Sequence, residues 1–208
     1  MEYKQVVKDF KDYIDSVNQA YQVKEVMLRR SLNENWFSDT LAWLLDPKAS
    51  HKLGVRFAQE FLKQIAQKRT SNKNYASRNS HLKWGKSGPG FTTGDLNISN
   101  STVLREFYLS KQVGAKGDRG GRYCDLVFID LDADDSIFLA IENKLFTTNK
   151  EKQLEEYFLA VEEKYNRAKI REYVYLTLTG EDPQEYQEEE KQYHKHWICF
   201  SWVDDIKQ

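Results

Sequence analysis

The chain has 208 residues, of which 40% are hydrophobic, 13% aromatic and 30% charged. This composition is typical of a globular protein and excludes a fibrous or intrinsically disordered chain, and the length suits a single domain with its own core. The 31 basic and 32 acidic residues leave a formal net charge of −1. No overall positive field therefore attracts nucleic acid, and any attraction to phosphate must be local.

The cysteines and the N-terminal residues bear on the cellular compartment. Cys124 and Cys199 lie in apolar stretches and form no CxxC pair, which argues against a disulfide framework or a thiolate zinc site. The first residues carry no apolar signal region, and no apolar run approaches the roughly 18 residues of a membrane span. The sequence therefore predicts a cytoplasmic protein with no membrane partner.

Hydrophobic periodicity predicts that the first part of the chain is helical. An N-terminal helix is predicted within residues 1–32, and two further helices at about 33–46, ended by Pro47, and at about 53–68. Residues 69–101 follow neither the helical nor the strand period and are rich in Ser, Asn and Gly, which predicts a loop insertion. The insertion also contains basic and aromatic residues, so a solvated mobile loop and a loop that grips nucleic acid both stay open.

Three strands are predicted after the insertion. They lie at 102–109, 123–131 and 136–145, and the short connections between them favour an antiparallel meander. Thr148-Asn149-Lys150-Glu151 has the form of a capping box, which predicts a helix from there to about Lys169.

The last part of the chain alternates strands with polar segments. The stretch YVYLTL at 173–178 predicts a strand that completes the order helix, three strands, helix, strand. A very polar helix is predicted after Pro183 and a short strand at 196–200. Ser201 followed by Asp204 is typical of a helix start, and we expect the sequence to be part of a longer protein. The predicted fold class is α/β, with a mixed central sheet flanked by helices.

The strongest functional signal is Glu142-Asn143-Lys144, which ends an otherwise apolar strand with two opposite charges. Residues two apart in a strand share a face, so Glu142 and Lys144 project to the same side. Asp125 interrupts the apolar strand YCDLVFI, where a carboxylate is costly to bury unless it is paired or bound to a cation. Two carboxylates that converge there would offer hard oxygen ligands.

Such a site suits Mg²⁺ or Mn²⁺, which bind carboxylates and a backbone carbonyl, here that of Asn143, and keep waters for the substrate. The metal would lower the pKa of a bound water and neutralise charge on a phosphate, while the Lys144 ammonium orients that water. Hydrolysis of a phosphodiester is the expected chemistry. A structural ion pair of Lys144 with Asp125 or Glu142 is the alternative that the spacing leaves open.

This pattern of Asp125, Glu142 and Lys144 resembles the PD-(D/E)XK nuclease superfamily, although no Pro precedes Asp125. The resemblance implies a restriction-endonuclease-like core with the same order of helix, three strands, helix and strand. It also implies a Mg²⁺-dependent deoxyribonuclease with Asp125 and Glu142 as metal ligands, Lys144 as a catalytic residue and DNA as the partner. A homodimer is an open option, because cutting both strands of a duplex usually takes two sites.

The segment after the lysine adds to the resemblance. Gln153-Leu154-Glu155-Glu156-Tyr157 resembles the QxxxY element of RecB-like members, which implies that Gln153 and Tyr157 help to position DNA or the site. The two side chains share a helical face. In the simpler alternative, Tyr157 belongs to the core and Gln153 only caps the helix or packs.

Two further acids are candidates for completing the site. The segment Asn33–Pro47 resembles the opening of one branch of the superfamily, in which a helical glutamate often completes the metal shell, and this points to Glu34 as a metal ligand. A capping or solvent-exposed role is the alternative for Glu34. Glu106, a charge within a strand, is another candidate, and a cross-strand lysine partner is its alternative. The rival function for the whole chain is a nucleic-acid-binding or regulatory module that does not cleave, within a larger defence or repair complex.

Overall fold

The computed structural model describes residues 34–71, 96–111, 121–131, 136–145 and 147–206. The predicted N-terminal helix lies outside these residues, as does most of the predicted loop insertion. None of the helices in this described part of the chain is long and apolar enough to cross a bilayer.

A five-stranded mixed sheet forms the centre of the fold. Its strands lie side by side in chain order: β1 (Thr102–Lys111), β2 (Gly121–Asp130), β3 (Ile137–Lys144), β4 (Ile170–Thr177) and β5 (Ile198–Ser201). The first three strands pair antiparallel, whereas β3 with β4 and β4 with β5 pair parallel. The predicted antiparallel meander is confirmed, and the parallel pair β3–β4 requires the crossover that a helix supplies.

Helices lie on both faces of the sheet. Helices α1 (Glu34–Leu45) and α2 (Arg56–Ser71) precede it, and α3 (Gln153–Lys164) connects β3 to β4. Helix α1 ends before Pro47, as predicted, because proline cannot continue a helix. Helix α2 continues to Ser71, so the predicted start of the insertion at residue 69 is wrong. Arg69 lies in the last turn of the helix, where its guanidinium binds the Glu172 carboxylate.

The sheet separates two apolar cores. Strand β3 is buried along almost its whole length, as expected of a central strand covered on both faces. Burying each large apolar side chain stabilises the fold by roughly 1.5–3 kcal/mol. The first cluster, here called the α1–α2 core, includes Leu41, Leu62, Ile65, Phe128 and Leu139. The second, the α3 core, includes Phe138, Leu154, Val161, Tyr173 and Trp197.

Strand β1 changes face near Glu106, and the hairpin of β1 and β2 bends there. Val103 packs against the α1–α2 core, whereas Phe107 packs against the α3 core, although residues four apart in a regular strand share a face. Glu106 has a φ of +48°, which is rare for a residue with a Cβ, and the pairing with β2 is interrupted at this residue. The residue opposite is Asp125, which therefore lies at the bend.

Helix α3 begins later than the predicted capping box. Its N-cap is Lys152, with a φ of +57° and no side-chain cap, and the first helical residue is Gln153. The side chain of Asn149 is buried and bonds to the main chain of Gln184, as a donor to the carbonyl at 2.9 Å and an acceptor from the N–H at 2.8 Å. The prediction is wrong because Thr148 and Glu151, the two residues that would form the box, both precede the helix. Instead, Gln153 Oε1 accepts from the Lys150 N–H at 2.9 Å.

The polar segment after Pro183 is not the predicted continuous helix. Only a 3-10 turn at Glu188–Glu190 and the one-turn helix α4 (Lys191–His194) are helical before β5. The Glu190 carboxylate accepts from the N–H groups of Lys152 and Tyr186, at 3.0 and 3.1 Å, which holds this segment against the start of α3. A contact to a distant part of the chain again prevails over local helix propensity.

The predicted helix start at Ser201 is a turn of π-helix at Trp202–Ile206. The Ser201 hydroxyl accepts from the N–H groups of Val203 and Asp204, at 3.1 and 3.0 Å, as the cap of a helix would. This turn brings Trp202 back toward the end of β3, where its ring meets that of Phe37 in α1 at 5.1 Å between centroids.

Candidate active site

Asp125 and Glu142 lie where β2 and β3 stop pairing. The last paired residues of the two strands are Leu126 and Ile141. Beyond them the main-chain N–H of Asn143 donates to Asp125 Oδ2 at 2.8 Å. A side chain thus replaces the regular strand ladder, and the structure brings Asp125 next to the Glu142-Asn143-Lys144 segment, as predicted.

The Glu142 side chain is completely buried. Its Oε1 accepts two hydrogen bonds, from Lys144 Nζ at 2.8 Å and from Gln153 Nε2 at 2.7 Å. Its Oε2 has no hydrogen-bond partner among the described residues. Leaving a buried polar atom without a partner costs about 1–3 kcal/mol, and more for a charged group, so native structures rarely do so without a reason.

The charges of this site are out of balance. Burial and the neighbouring Asp125 carboxylate raise the pKa of Glu142 to about 8. Burial also raises the pKa of Asp125, against the opposing influence of the Lys144 ammonium and the Asn143 N–H. Burial disfavours the Lys144 ammonium, but the carboxylates of Glu142 and Asp125 outweigh it and raise the pKa of the lysine. Lys144 thus supplies one positive charge against two acids.

Gln153 and Tyr157 continue this network into α3. Gln153 Nε2 donates to Glu142 and also to the Tyr157 hydroxyl oxygen, which lies 2.9 Å away. The Tyr157 hydroxyl donates in turn to the main-chain carbonyl of Tyr123 at 2.5 Å. Burial and the Glu142 charge raise the pKa of Tyr157, so the hydroxyl remains a donor. The structure therefore brings both predicted residues to the site, and Tyr157 belongs to the α3 core as well.

Glu34, at the start of α1, binds the chain that follows β3. Its Oε1 accepts from the Leu145 N–H at 3.0 Å, the Thr147 N–H at 3.2 Å and the Thr147 hydroxyl at 2.7 Å. Its charge still acts on Asp125 and Lys144. Among the residues that the structure describes, no group of three His, Cys, Asp or Glu side chains is arranged to hold a metal ion. A cation between Asp125 and Glu142 would therefore need further ligands from the main chain or water.

Glu106 lies opposite Asp125 at the bend of the hairpin, and its side chain is exposed. Because the residue opposite is an acid, the cross-strand lysine considered for Glu106 is wrong. Its backbone, with a φ of +48°, shapes the bend that displays Asp125.

The side chain of Asn143 belongs to the site's support, which the sequence pattern did not predict. It is completely buried on the face of β3 opposite Glu142. Its Nδ2 donates to the Ser38 hydroxyl at 2.9 Å and to the Glu34 carbonyl at 3.2 Å, and its Oδ1 accepts from Trp202 Nε1 at 2.9 Å. Strand alternation places Asn143 on that face, but nothing local in the sequence indicates its partners in α1 and after β5.

Arg105 is a second residue that the sequence analysis missed. Its Nε donates to the main-chain carbonyl of Asp125 at 3.1 Å. Its Nη1 donates to the Asn35 carbonyl at 3.2 Å and pairs with the Asp39 carboxylate. The guanidinium thereby ties the bend of the hairpin to the first turns of α1.

The sheet is mixed and five-stranded, with helices on both faces, and it carries an Asp in β2 beside a Glu-x-Lys at the end of β3. This arrangement is a restriction-endonuclease-like fold. A family model described as the PD-(D/E)XK nuclease superfamily matches residues 21–208. The chain belongs to this superfamily, and the resemblance seen in the sequence is confirmed. Membership of the RecB-like subgroup stays a prediction. No curated protein and no solved structure matches the chain significantly.

Proposed function

We propose that this chain is a Mg²⁺- or Mn²⁺-dependent deoxyribonuclease that hydrolyses phosphodiester bonds. Membership of a nuclease superfamily supports the reaction class. The observation that carries the need for a cation is the completely buried Glu142, whose Oε2 has no partner among the described residues and whose pKa is raised beside a second acid. A divalent cation bound there would balance the two carboxylates at neutral pH.

The residues present fit such a cation. The N–H and C=O of one strand residue point to the same edge of the strand. The Asn143 N–H points to Asp125, so its carbonyl should face the same gap. Two carboxylates and a carbonyl are hard oxygen donors that suit Mg²⁺ and Mn²⁺. When bound, the metal would lower the pKa of a water and stabilise negative charge on the phosphate.

The surrounding side chains prepare Glu142 for this role. Lys144 and Gln153 both donate to Oε1, which leaves Oε2 for the cation. The raised pKa of Lys144 keeps its ammonium charged, so that it can orient the attacking water or a phosphate oxygen. Tyr157 fixes the Gln153 amide through its hydroxyl.

Glu34 and Glu106 lie at the edge of the proposed site and support it in different ways. The Glu34 carboxylate holds the chain after Lys144 and adds negative charge near the cation, as a ligand either directly or through water. Glu106 supports the site through the bend that it makes opposite Asp125.

The proposal is tested by a cleavage assay on single- and double-stranded DNA and RNA, with Mg²⁺ or Mn²⁺, for the wild type and two variants. Asp125→Ala and Lys144→Ala should each lower the cleavage rate by a factor on the order of 10²–10³, since each removes a group that acts on the developing charge. The matched control is Lys63→Ala, which removes a lysine whose ion pair with Glu60 lies on the surface of α2.

A Lys144→Ala protein that cleaves DNA at the wild-type rate would overturn the proposal. Titration calorimetry with Mn²⁺ adds a second measurement, in which binding by the wild type and none by Asp125→Ala is expected. Binding of DNA without cleavage and without affinity for Mn²⁺ would instead support the non-cleaving module.

A further inference from the structure

The amide side chain of Asn143 has a partner for each of its polar atoms although it is completely buried. The partners come from two separate parts of the chain. Ser38 Oγ and the Glu34 carbonyl belong to α1, and Trp202 Nε1 belongs to the π-turn after β5. An amide held from two sides in this way has one orientation in which all its bonds are made.

The main chain of the same residue binds the Asp125 carboxylate. The Asn143 N–H donates to Asp125 Oδ2 at 2.8 Å on the edge of β3 where β2 has stopped pairing. No ladder bond from β2 therefore holds the main chain at this point. Its other edge pairs with β4, where Asn143 lies opposite Leu176. The side chain is thus a second anchor for this peptide, beside the pairing of the neighbouring Glu142 and Lys144 with β4.

We infer that Asn143 is a positioning residue, whose amide, clamped by Trp202 and Ser38, sets the direction of the main-chain N–H toward Asp125 and of the carbonyl toward the cation site. The effect on the cation rests on the proposed function, whereas the effect on the N–H toward Asp125 does not. Outer partners of this kind commonly change metal affinity by 10–100-fold when they are removed. If Asn143 only stabilised the fold, loosening its clamp would lower the free energy of unfolding without changing the metal affinity.

Two variants loosen the clamp without altering Asn143 itself. Trp202→Phe removes the indole N–H while keeping an aromatic ring against Phe37, and Ser38→Ala removes the hydroxyl acceptor. The matched control is Trp43→Phe. It removes an indole N–H that donates to Ser50 Oγ at 3.2 Å, in the same helix as Ser38 and on the side of the loop after Pro47.

The first measurement uses metal-free protein and follows hydrogen exchange of the Asn143 amide by NMR, corrected for global stability. We expect exchange about fivefold faster in Trp202→Phe and Ser38→Ala and unchanged in Trp43→Phe, because loss of one hydrogen bond changes a local opening equilibrium by about that factor. The second is the dissociation constant for Mn²⁺ from calorimetry. It should rise about tenfold in the two clamp variants and less than about twofold in the control.

Equal exchange rates and equal Mn²⁺ affinities in all four proteins would overturn the inference and leave the proposed function standing. A wild type that binds no Mn²⁺ would overturn the proposed function instead. The exchange rates would then decide the positioning role by themselves: faster exchange confined to the two clamp variants supports it, and rates equal to those of the control contradict it.

Discussion

The two faces at the end of β3 each carry a buried polar side chain, and the two side chains differ in how completely they are hydrogen-bonded. On one face the Asn143 amide finds a partner for its nitrogen and its oxygen. On the other, Glu142 is equally buried, yet Oε2 has no partner within the described residues and the Asp125 carboxylate is close by. Both side chains bear the cost of desolvation, but among the described residues only the first has a partner for each of its polar atoms. We therefore assign the proposed chemistry to the side of the strand that carries Glu142, and its structural support to the side that carries Asn143.

The comparison predicts that the free energy of unfolding of the metal-free protein falls as pH rises. The folded-state pKa of Glu142, about 8, lies above its usual value of 4.5, so between these pH values the folded state binds more protons than the unfolded state. The contribution of Glu142 to the free energy of unfolding is then present in full below about pH 4.5 and is lost as pH rises toward 8. The slope approaches about 1.4 kcal/mol per pH unit, for a total of a few kcal/mol.

Glu142→Gln removes this titration and tests the prediction. Urea unfolding of both proteins in EDTA between pH 5.5 and 8.5 should give a difference curve in which the variant gains on the wild type as pH rises. The attraction between Glu142 and the Lys144 ammonium is already included in the raised pKa of Glu142, so the ion pair needs no separate correction. Parallel curves for the two proteins would contradict the charge imbalance on which the comparison depends.

A smaller effect is expected from the tyrosine hydroxyls of the α3 core, and it separates support from stability. Tyr157→Phe removes the hydroxyl between Gln153 and the Tyr123 carbonyl. We expect the cleavage rate to fall about tenfold, because the Gln153 amide can then turn away from Glu142. The free energy of unfolding should fall by about 1 kcal/mol.

The matched control for this change is Tyr173→Phe. Its hydroxyl donates to Glu162 Oε1 at 2.8 Å. Tyr173 belongs to the same core but lies outside the series of hydrogen bonds that runs from Glu142 through Gln153 to Tyr157. It should lose similar stability and keep the wild-type rate. Equal rates in the two variants, measured with saturating Mn²⁺, would show that the network through Gln153 does not reach the reaction.

The parts of this fold that the sequence predicts are those set by local patterns. Short apolar runs predict the three-stranded meander, and the charges that interrupt these runs mark Asp125, Glu142 and Lys144. The predicted start of α3 is wrong because Thr148 and Glu151 match a capping box but precede the helix, in a segment where Asn149 binds the distant Gln184. A local pattern contains no information about such a partner.

The support of the site is unpredictable for the same reason. The bend occurs at Glu106, which has a φ of +48°. A glycine, the usual sequence sign of a positive φ, is absent at this position. The clamp on Asn143 joins segments separated by 59 residues in one case and 105 in the other. Strand alternation can place the amide on the face opposite Glu142, but only the folded chain shows what meets it there.

The smallest expected effect distinguishes the two roles that Glu34 can have. Glu34→Gln keeps an oxygen to accept from Leu145 and Thr147 but removes the charge, whereas Glu34→Ala removes both. If the charge contributes to the cation site, Glu34→Gln should weaken Mn²⁺ binding by about threefold, as expected of a partly screened charge, with little change in unfolding. Glu34→Ala should weaken binding further and lower the melting temperature, because the chain after Lys144 loses its anchor. Wild-type affinity in Glu34→Gln, measured by calorimetry, together with weaker binding in Glu34→Ala, would show that Glu34 only anchors the chain after Lys144 and that its charge does not act on the cation.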